Sequence, residues 1–190
     1  MYDLLINKKH PLSKDYVPDN LIITDNNENN FHEFADPNHK PSIIKDVYEA
    51  FKVLQKEALK DGINIIIDSG YRSYEYQQVI WDTYVENKGL EYTVTHVAPP
   101  GTSEHQSGLA IDFGAYRDGI FTSDITEDSK EYIWMINNAY KYGFILRYPK
   151  GKENITGYSF EPWHFRFIDL DIANYIHDND ITLEEYYKDL

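Results

Sequence analysis

The chain has 190 residues, 42% hydrophobic and 15% aromatic, which suits one folded domain with a real core and not a disordered segment. Its net charge of −14 argues against a nucleic-acid or anionic-membrane surface, since both require a basic patch. There is no cysteine, so disulfides and thiolate metal sites are excluded and any metal must sit on His, Asp or Glu.

No apolar run approaches the ~20 residues that a membrane span needs. The opening MYDLLINKKHPLSKDY has no charged region followed by an apolar one, so no signal peptide is expected. The expected location is cytoplasmic if Met1 is the natural start, and otherwise extracytoplasmic.

Residues 1–40 read as an irregular arm punctuated by Pro11, Pro18 and Pro37. Within it DNNENN at 25–30 reads as a solvated loop; it lacks the glycine and closing glutamate of a calcium loop. From Ser42 to about Lys60 the apolar residues Ile43, Val47, Phe51, Leu54 and Ala58 recur every three or four, predicting a helix that Asp61-Gly62 ends. INIIID at 63–68 predicts a buried strand. Ser73 then caps a second helix over 74–88, with Val79, Ile80 and Tyr84 turned inward, closed by Gly89.

Residues 90–108 contain Pro99-Pro100-Gly101 and read as a surface loop. Gly108 to Phe113 reads as a short strand, and 115–127 as loop. A third helix is expected over 128–142, with Asp128 as N-cap, Glu131 at N3 and Gly143 just beyond its end. Strands are expected at 144–148 and 158–168, paired as a hairpin around a turn at 149–157. Two short helices follow near 170–178 and 183–189, the last opened by a Thr182/Glu185 capping box. Mixed helices and strands without a repeat or linker indicate a single α+β domain with a small antiparallel sheet flanked by helices.

Two stretches carry the chemistry. SEHQSGLAIDFG at 103–114 holds His105 and Asp112, and EPWH at 161–164 holds Glu161 and His164. Three protein ligands and an open position suit a hydrolytic zinc, and His105, Asp112 and His164 supply that set. Glu161, three residues before His164, would face away from it in a straight strand; Pro162 can bend the chain so that both face the metal. A carboxylate there can take a proton from a water and return it to a leaving amine. Arg72, at a strand-to-helix turn, is the candidate cation for the oxyanion.

Each residue taken alone has a structural alternative. A histidine near a strand can be a hydrogen-bonded core group, and an aspartate at a strand end can be a cap. Glu161 can pair with Arg166, and Arg72 with Glu75. Only the joint pattern is informative. His10, His32, His39, His96 and His177 have no such company and read as surface or structural residues.

The segments SGYRSYEYQ at 69–77, SEHQSGLAID at 103–112, YGFILRYPKGKENITG at 142–157 and EPWHFRF at 161–167 closely resemble the LAS zinc peptidases. More narrowly, they resemble the VanY and VanXY D,D-carboxypeptidases and their L,D-carboxypeptidase relatives. The resemblance covers nearly the whole chain, with the motifs in the family's order and spacing. It implies the LAS/hedgehog-like α+β peptidase fold, one zinc ion on His105, Asp112 and His164, and Glu161 as the base. It implies that Arg72 steadies the oxyanion and the C-terminal end of the substrate. It places Gln77, Ser103 and Tyr148 around the pocket for the terminal D-alanine.

The implied reaction is hydrolysis of the terminal D-Ala-D-Ala bond of peptidoglycan precursors, with free D-Ala-D-Ala as a further candidate substrate. The role would be glycopeptide (vancomycin) resistance or wall trimming. Three alternatives stand beside it. They are an L,D-carboxypeptidase trimming tetrapeptides, a non-haem iron oxygenase using the same two-His, one-carboxylate set, and a non-catalytic zinc-containing wall-binding module.

Overall fold

The first short strands lie where the sequence suggested an arm and a helix start. A computed structural model describes residues 2–24 and 41–188. The polar loop at 25–30, with Pro37, His32 and His39, lies outside the described residues. Strand β1 (Leu21–Ile23) pairs antiparallel with β2 (Ser42–Ile44), Ile22 opposite Ile43. Helix α1 therefore starts at Lys45, not Ser42, and runs to Lys60. It buries Val47, Tyr48, Phe51, Leu54 and Ala58, the face its periodicity predicts. Strand β3 (Ile65–Ser69) follows, then α2 (Tyr74–Lys88), whose Tyr76 N–H donates to the Ser73 hydroxyl in the expected cap. Ile80 is buried in α2, Tyr84 is half-buried, and Val79 is 54% exposed, so the inward set is narrower than predicted.

The loop expected over 90–108 contains a helix, α3 (Leu90–His96), and a 3-10 turn at Glu104–Ser107. Strand β4 (Ala110–Arg117) is longer than expected and turns through Asp118-Gly119 into β5 (Ile120–Thr122), where a loop was predicted. Asp118 and Gly119 sit at φ 53 and 79, the left-handed pair that a tight hairpin uses. Helix α4 (Lys130–Asn138) is preceded by Ser129, not Asp128, at the N-cap, and Glu131 pairs with Arg117 across 2.9 Å. A 3-10 turn at Ala139–Tyr142 and Gly143 at φ 82 end it.

Strand β6 (Phe144–Leu146), a single-turn helix α5 (Glu153–Thr156) and strand β7 (His164–Phe167) replace the two longer predicted strands. Helices α6 (Leu170–Asn179) and α7 (Leu183–Lys188) close the described chain. The Thr182/Glu185 capping box is present in both directions, at 2.8 and 3.2 Å.

The main sheet is antiparallel throughout, in the order β3-β4-β7-β6, with β5 also on β4. This is the α+β architecture expected, and β6 and β7 do pair. The two faces of the sheet differ. Ile65, Ile67, Ile111, Phe113 and Phe165 pack with Val47, Phe51, Leu54 and Ala58 of α1 in one apolar cluster. Asp68, Asp112, His164 and Arg166 alternate with these residues, so the pleat sends them to the opposite face. That face is buried as well, under the N-terminal arm and the turn at Glu104–Ser107.

Candidate metal centre

Strand register assembles the centre. Asp112 of β4 lies directly opposite His164 of β7, so their side chains leave the sheet on one face as neighbours. His105 arrives from the 3-10 turn before β4. Gly108, at φ 68, turns the chain there, and a Cβ on it would press on Leu21, Pro18 and Ile44. His105 Nδ1 lies 2.6 Å from the Gly70 carbonyl, which leaves Nε2 directed at Asp112 Oδ2, 3.2 Å away. His164 Nδ1 lies 3.0 Å from Asp112 Oδ1. One ligand atom from each of His105, Asp112 and His164 falls within 4.8 Å of the others, and all three residues are buried.

Glu161 comes to the same place. The chain bends through Pro162 and Trp163 before β7 begins, and the Glu161 carboxylate lies 3.7 Å from His164 Nδ1. Its backbone is fixed by the Tyr148 carbonyl at 3.2 Å. Arg72 Nη2 bonds Asp112 Oδ2 at 2.5 Å, and its Nε bonds the Ser69 hydroxyl at 3.1 Å. Arg72 also lines the cavity, where its remaining guanidinium N–H groups can meet a ligand. The alternative pairings of Arg72 with Glu75 and of Glu161 with Arg166 are not formed; Arg166 goes to Glu104.

These groups line a cavity of about 360 Å³, within the usual range for a small-ligand site. Gln77, Ser103 and Tyr148, the predicted pocket residues, line it too. Gln77 is buried and its amide donates to the Ala98 carbonyl at 2.9 Å. Sequence reasoning missed Asp68, Tyr158 and Trp163 on the wall, and set His96 aside although it also lines the cavity. It also missed Glu104, wholly buried behind His164. The one signal for Glu104 is its place beside His105; its arginine partners are more than forty residues away and meet it only in the fold.

Burial shapes the protonation states. It pushes the Glu161 carboxyl up to about 7, against the opposing pull of His164. A bound cation would draw that value down again, so this carboxylate can both accept and release a proton near neutrality. Burial and the Arg72 charge lower His105 to about 4, which keeps its imidazole neutral with a lone pair to give. Burial would raise Asp112, but the Arg72 guanidinium and the hydrogen bond with His164 hold it well below the usual carboxylate range. Burial, with help from Asp112, pushes Asp68 up to about 7. Two imidazoles and an ionised carboxylate, buried and converging, fit a zinc ion in their residue types and spacing.

A family model described as VanY, D-alanyl-D-alanine carboxypeptidase, matches residues 40–170. The chain belongs to the VanY family. It is 36% identical to VanXYC of Enterococcus gallinarum, a bifunctional D-Ala-D-Ala dipeptidase and carboxypeptidase, over 96% of this chain and 92% of that one. Among solved structures, LdcB, an LD-carboxypeptidase, is 42% identical with a TM-score of 0.82, covering 97% of this chain and 84% of its own. The D,D-pentapeptidase VanY from a VanB-type vancomycin-resistance cassette is 36% identical with a TM-score of 0.80, covering 98% of both chains; that structure is a zinc(II) complex of a variant. The chain spans 66% of the length of a 42% identical relative from Bacillus subtilis (strain 168), the putative carboxypeptidase YodJ. Among the described residues no helix is long and apolar enough to cross a membrane.

Proposed function

We propose that this VanY-family chain is a zinc D,D-carboxypeptidase that removes the terminal D-alanine from peptidoglycan stem peptides ending in D-Ala-D-Ala. The observation that carries the reading is the buried His105, Asp112 and His164 triangle with Glu161 beside it, at the wall of a ligand-sized cavity. The fold and family fit it, and a 36% identical VanY structure holds D-alanine-D-alanine.

In this reading His105, Asp112 and His164 hold the ion. A zinc ion held there supplies Lewis acidity at the scissile carbonyl and a water that ionises near neutral pH. Glu161 takes the proton of the attacking water on its carboxylate and passes it to the nitrogen of the leaving D-alanine. Arg72 offers N–H donors to the developing oxyanion and positive charge to the substrate's terminal carboxylate. Gln77, Ser103 and Tyr148 line the pocket that would take the terminal residue. Burial pushes the Tyr148 phenol well above its usual range, so it stays a neutral hydrogen-bond donor.

The presence of Glu161 favours hydrolysis over an oxygenase or a non-catalytic wall-binding module, neither of which needs a base at that position. The L,D reaction is the second reading, favoured by the 42% identity and close structural match to LdcB. The test is to incubate the zinc-loaded protein with a muramyl pentapeptide ending in D-Ala-D-Ala and, separately, with the corresponding tetrapeptide, and to weigh the products. Loss of one D-alanine from the pentapeptide is expected. Cleavage of the tetrapeptide alone would replace this assignment with the L,D one.

A further inference from the structure

Glu104 is next in sequence to His105, yet its carboxylate faces a different histidine, His164. Its Oε1 accepts from Arg147 Nε and Arg166 Nη1, each at 2.7 Å, and all three side chains are wholly buried. Its other oxygen, Oε2, has no hydrogen-bond partner among the described residues, and neither has His164 Nε2. These two buried atoms face each other across 3.5 Å, the outer limit of a hydrogen bond. Buried polar atoms left without partners carry an uncompensated desolvation cost, so each is the natural partner of the other.

The ring's orientation gives that bond a purpose. His164 Nδ1 faces Asp112 and Glu161, at 3.0 and 3.7 Å, the side on which the metal ligands converge. Nε2 therefore points away from the metal and at Glu104. We propose that Glu104 is a positioning residue for the zinc site: it accepts the Nε2 proton of His164, which keeps Nδ1 unprotonated and aimed at the ion. This rests on the zinc reading above. A metal-bound histidine commonly gives its second N–H to such a carboxylate, which fixes tautomer and ring angle and raises ligand basicity.

Glu104 is unusually well placed to hold still. Arg147 is itself held by Glu184 of α7 at 2.6 and 2.8 Å. Arg166 is held by the Leu4 and Tyr2 carbonyls at 2.6 and 3.0 Å. The N-terminal arm and the C-terminal helix thus meet behind a metal ligand through two arginines and one carboxylate. The ring of Tyr148, 4.8 Å from that of His164, packs its flank.

The test uses the full chain and zinc itself. In the zinc-loaded wild type with ¹⁵N-labelled histidine, the spectrum should show His164 bound through Nδ1 with an exchange-protected proton on Nε2. Metal on Nε2 would overturn the proposal. Competition with a chelator should show Glu104→Gln binding zinc about 10- to 100-fold more weakly. Glu184→Gln perturbs the same arginine without touching His164, so it should lower the melting temperature and change zinc affinity less. Equal losses in the two variants, or an unchanged Glu104→Gln, would overturn the proposal. If Glu104→Gln fails to fold, the wild-type tautomer alone decides. Failure of the wild type to take up zinc would sink the zinc reading and this inference together, whereas normal uptake with an indifferent Glu104→Gln sinks this inference alone.

Discussion

The two faces of the main sheet are built by opposite rules. Toward α1 the strands present Ile65, Ile67, Ile111, Phe113 and Phe165, held by non-directional burial. On the other face the same strands present Asp68, Asp112 and His164 at the cavity and Arg166 buried beside Glu104, nearly every one tied to a specific partner. An apolar face tolerates side chains of similar volume, because what matters there is area and fit. A buried polar face tolerates no such exchange, because each lost partner strands a charge or a donor. The chemistry is housed on the second face while the first supplies rigidity, and alternate residues along one strand serve the two separately.

The largest expected effect is on the polar face and concerns rate alone. Glu161→Gln should lower kcat by about 10²- to 10⁴-fold, the usual worth of a general base. Zinc content and melting temperature should stay at wild-type values, since Glu161 is outside the ligand set. A variant that cleaves the pentapeptide at the wild-type rate would remove Glu161 from its role.

Next comes stability on the same face. Arg166→Met keeps much of the volume but takes one of the two cations from buried Glu104 and abandons the Leu4 and Tyr2 carbonyls. Breaking such a pair should cost about 3–5 kcal/mol in denaturant unfolding. The apolar face should give a similar figure by a different route. Phe51 is 1% exposed and meets Phe144 edge to face at 6.3 Å. Phe51→Ala should cost about 3–5 kcal/mol, whereas Phe51→Leu, which refills most of the space, should cost less than about 1.5 kcal/mol. No conservative replacement of Arg166 should recover stability in that way, and a mild Arg166→Lys would blur the distinction between the faces.

The two faces were also unequally legible in the sequence. The apolar face follows from period alone: every third or fourth residue of α1 and alternate residues of β3 announce it. Errors arose where a local signal was shared. Ile43 fits the helical series with Val47, but its strand partner is Ile22, far along the chain. Leu90–His96 forms a helix through β-branched Thr93, Val94 and Thr95, whose propensity points elsewhere. Asp118-Gly119 between Tyr116 and Ile120 is a hairpin signal, but the mostly polar residues that follow through 127 read as loop and hide the short partner strand β5. On the polar face, residue type and spacing suggest that His105, Asp112, Glu161 and His164 converge, but leave structural alternatives open; the resemblance to the LAS peptidases is what assigns them roles. Glu104 was not, because one carboxylate in a motif has no visible purpose until Arg147, Arg166 and His164 surround it.

The smallest expected effect is the sharpest probe of the comparison. Ile111 lies between Ala110 and the candidate ligand Asp112 on β4, wholly buried in the apolar cluster and opposite Phe165 of β7. Ile111→Val removes one methylene there and should cost about 0.5–1.5 kcal/mol of stability. The pleat directs that loss toward α1, while Asp112 keeps its register with His164 through backbone bonds that the substitution does not touch. Zinc affinity and kcat/KM should therefore stay at wild-type values while the melting temperature falls. A parallel fall in zinc affinity would mean that packing against α1 sets the spacing of Asp112 and His164, so that the apolar face shapes the metal centre and does more than support it.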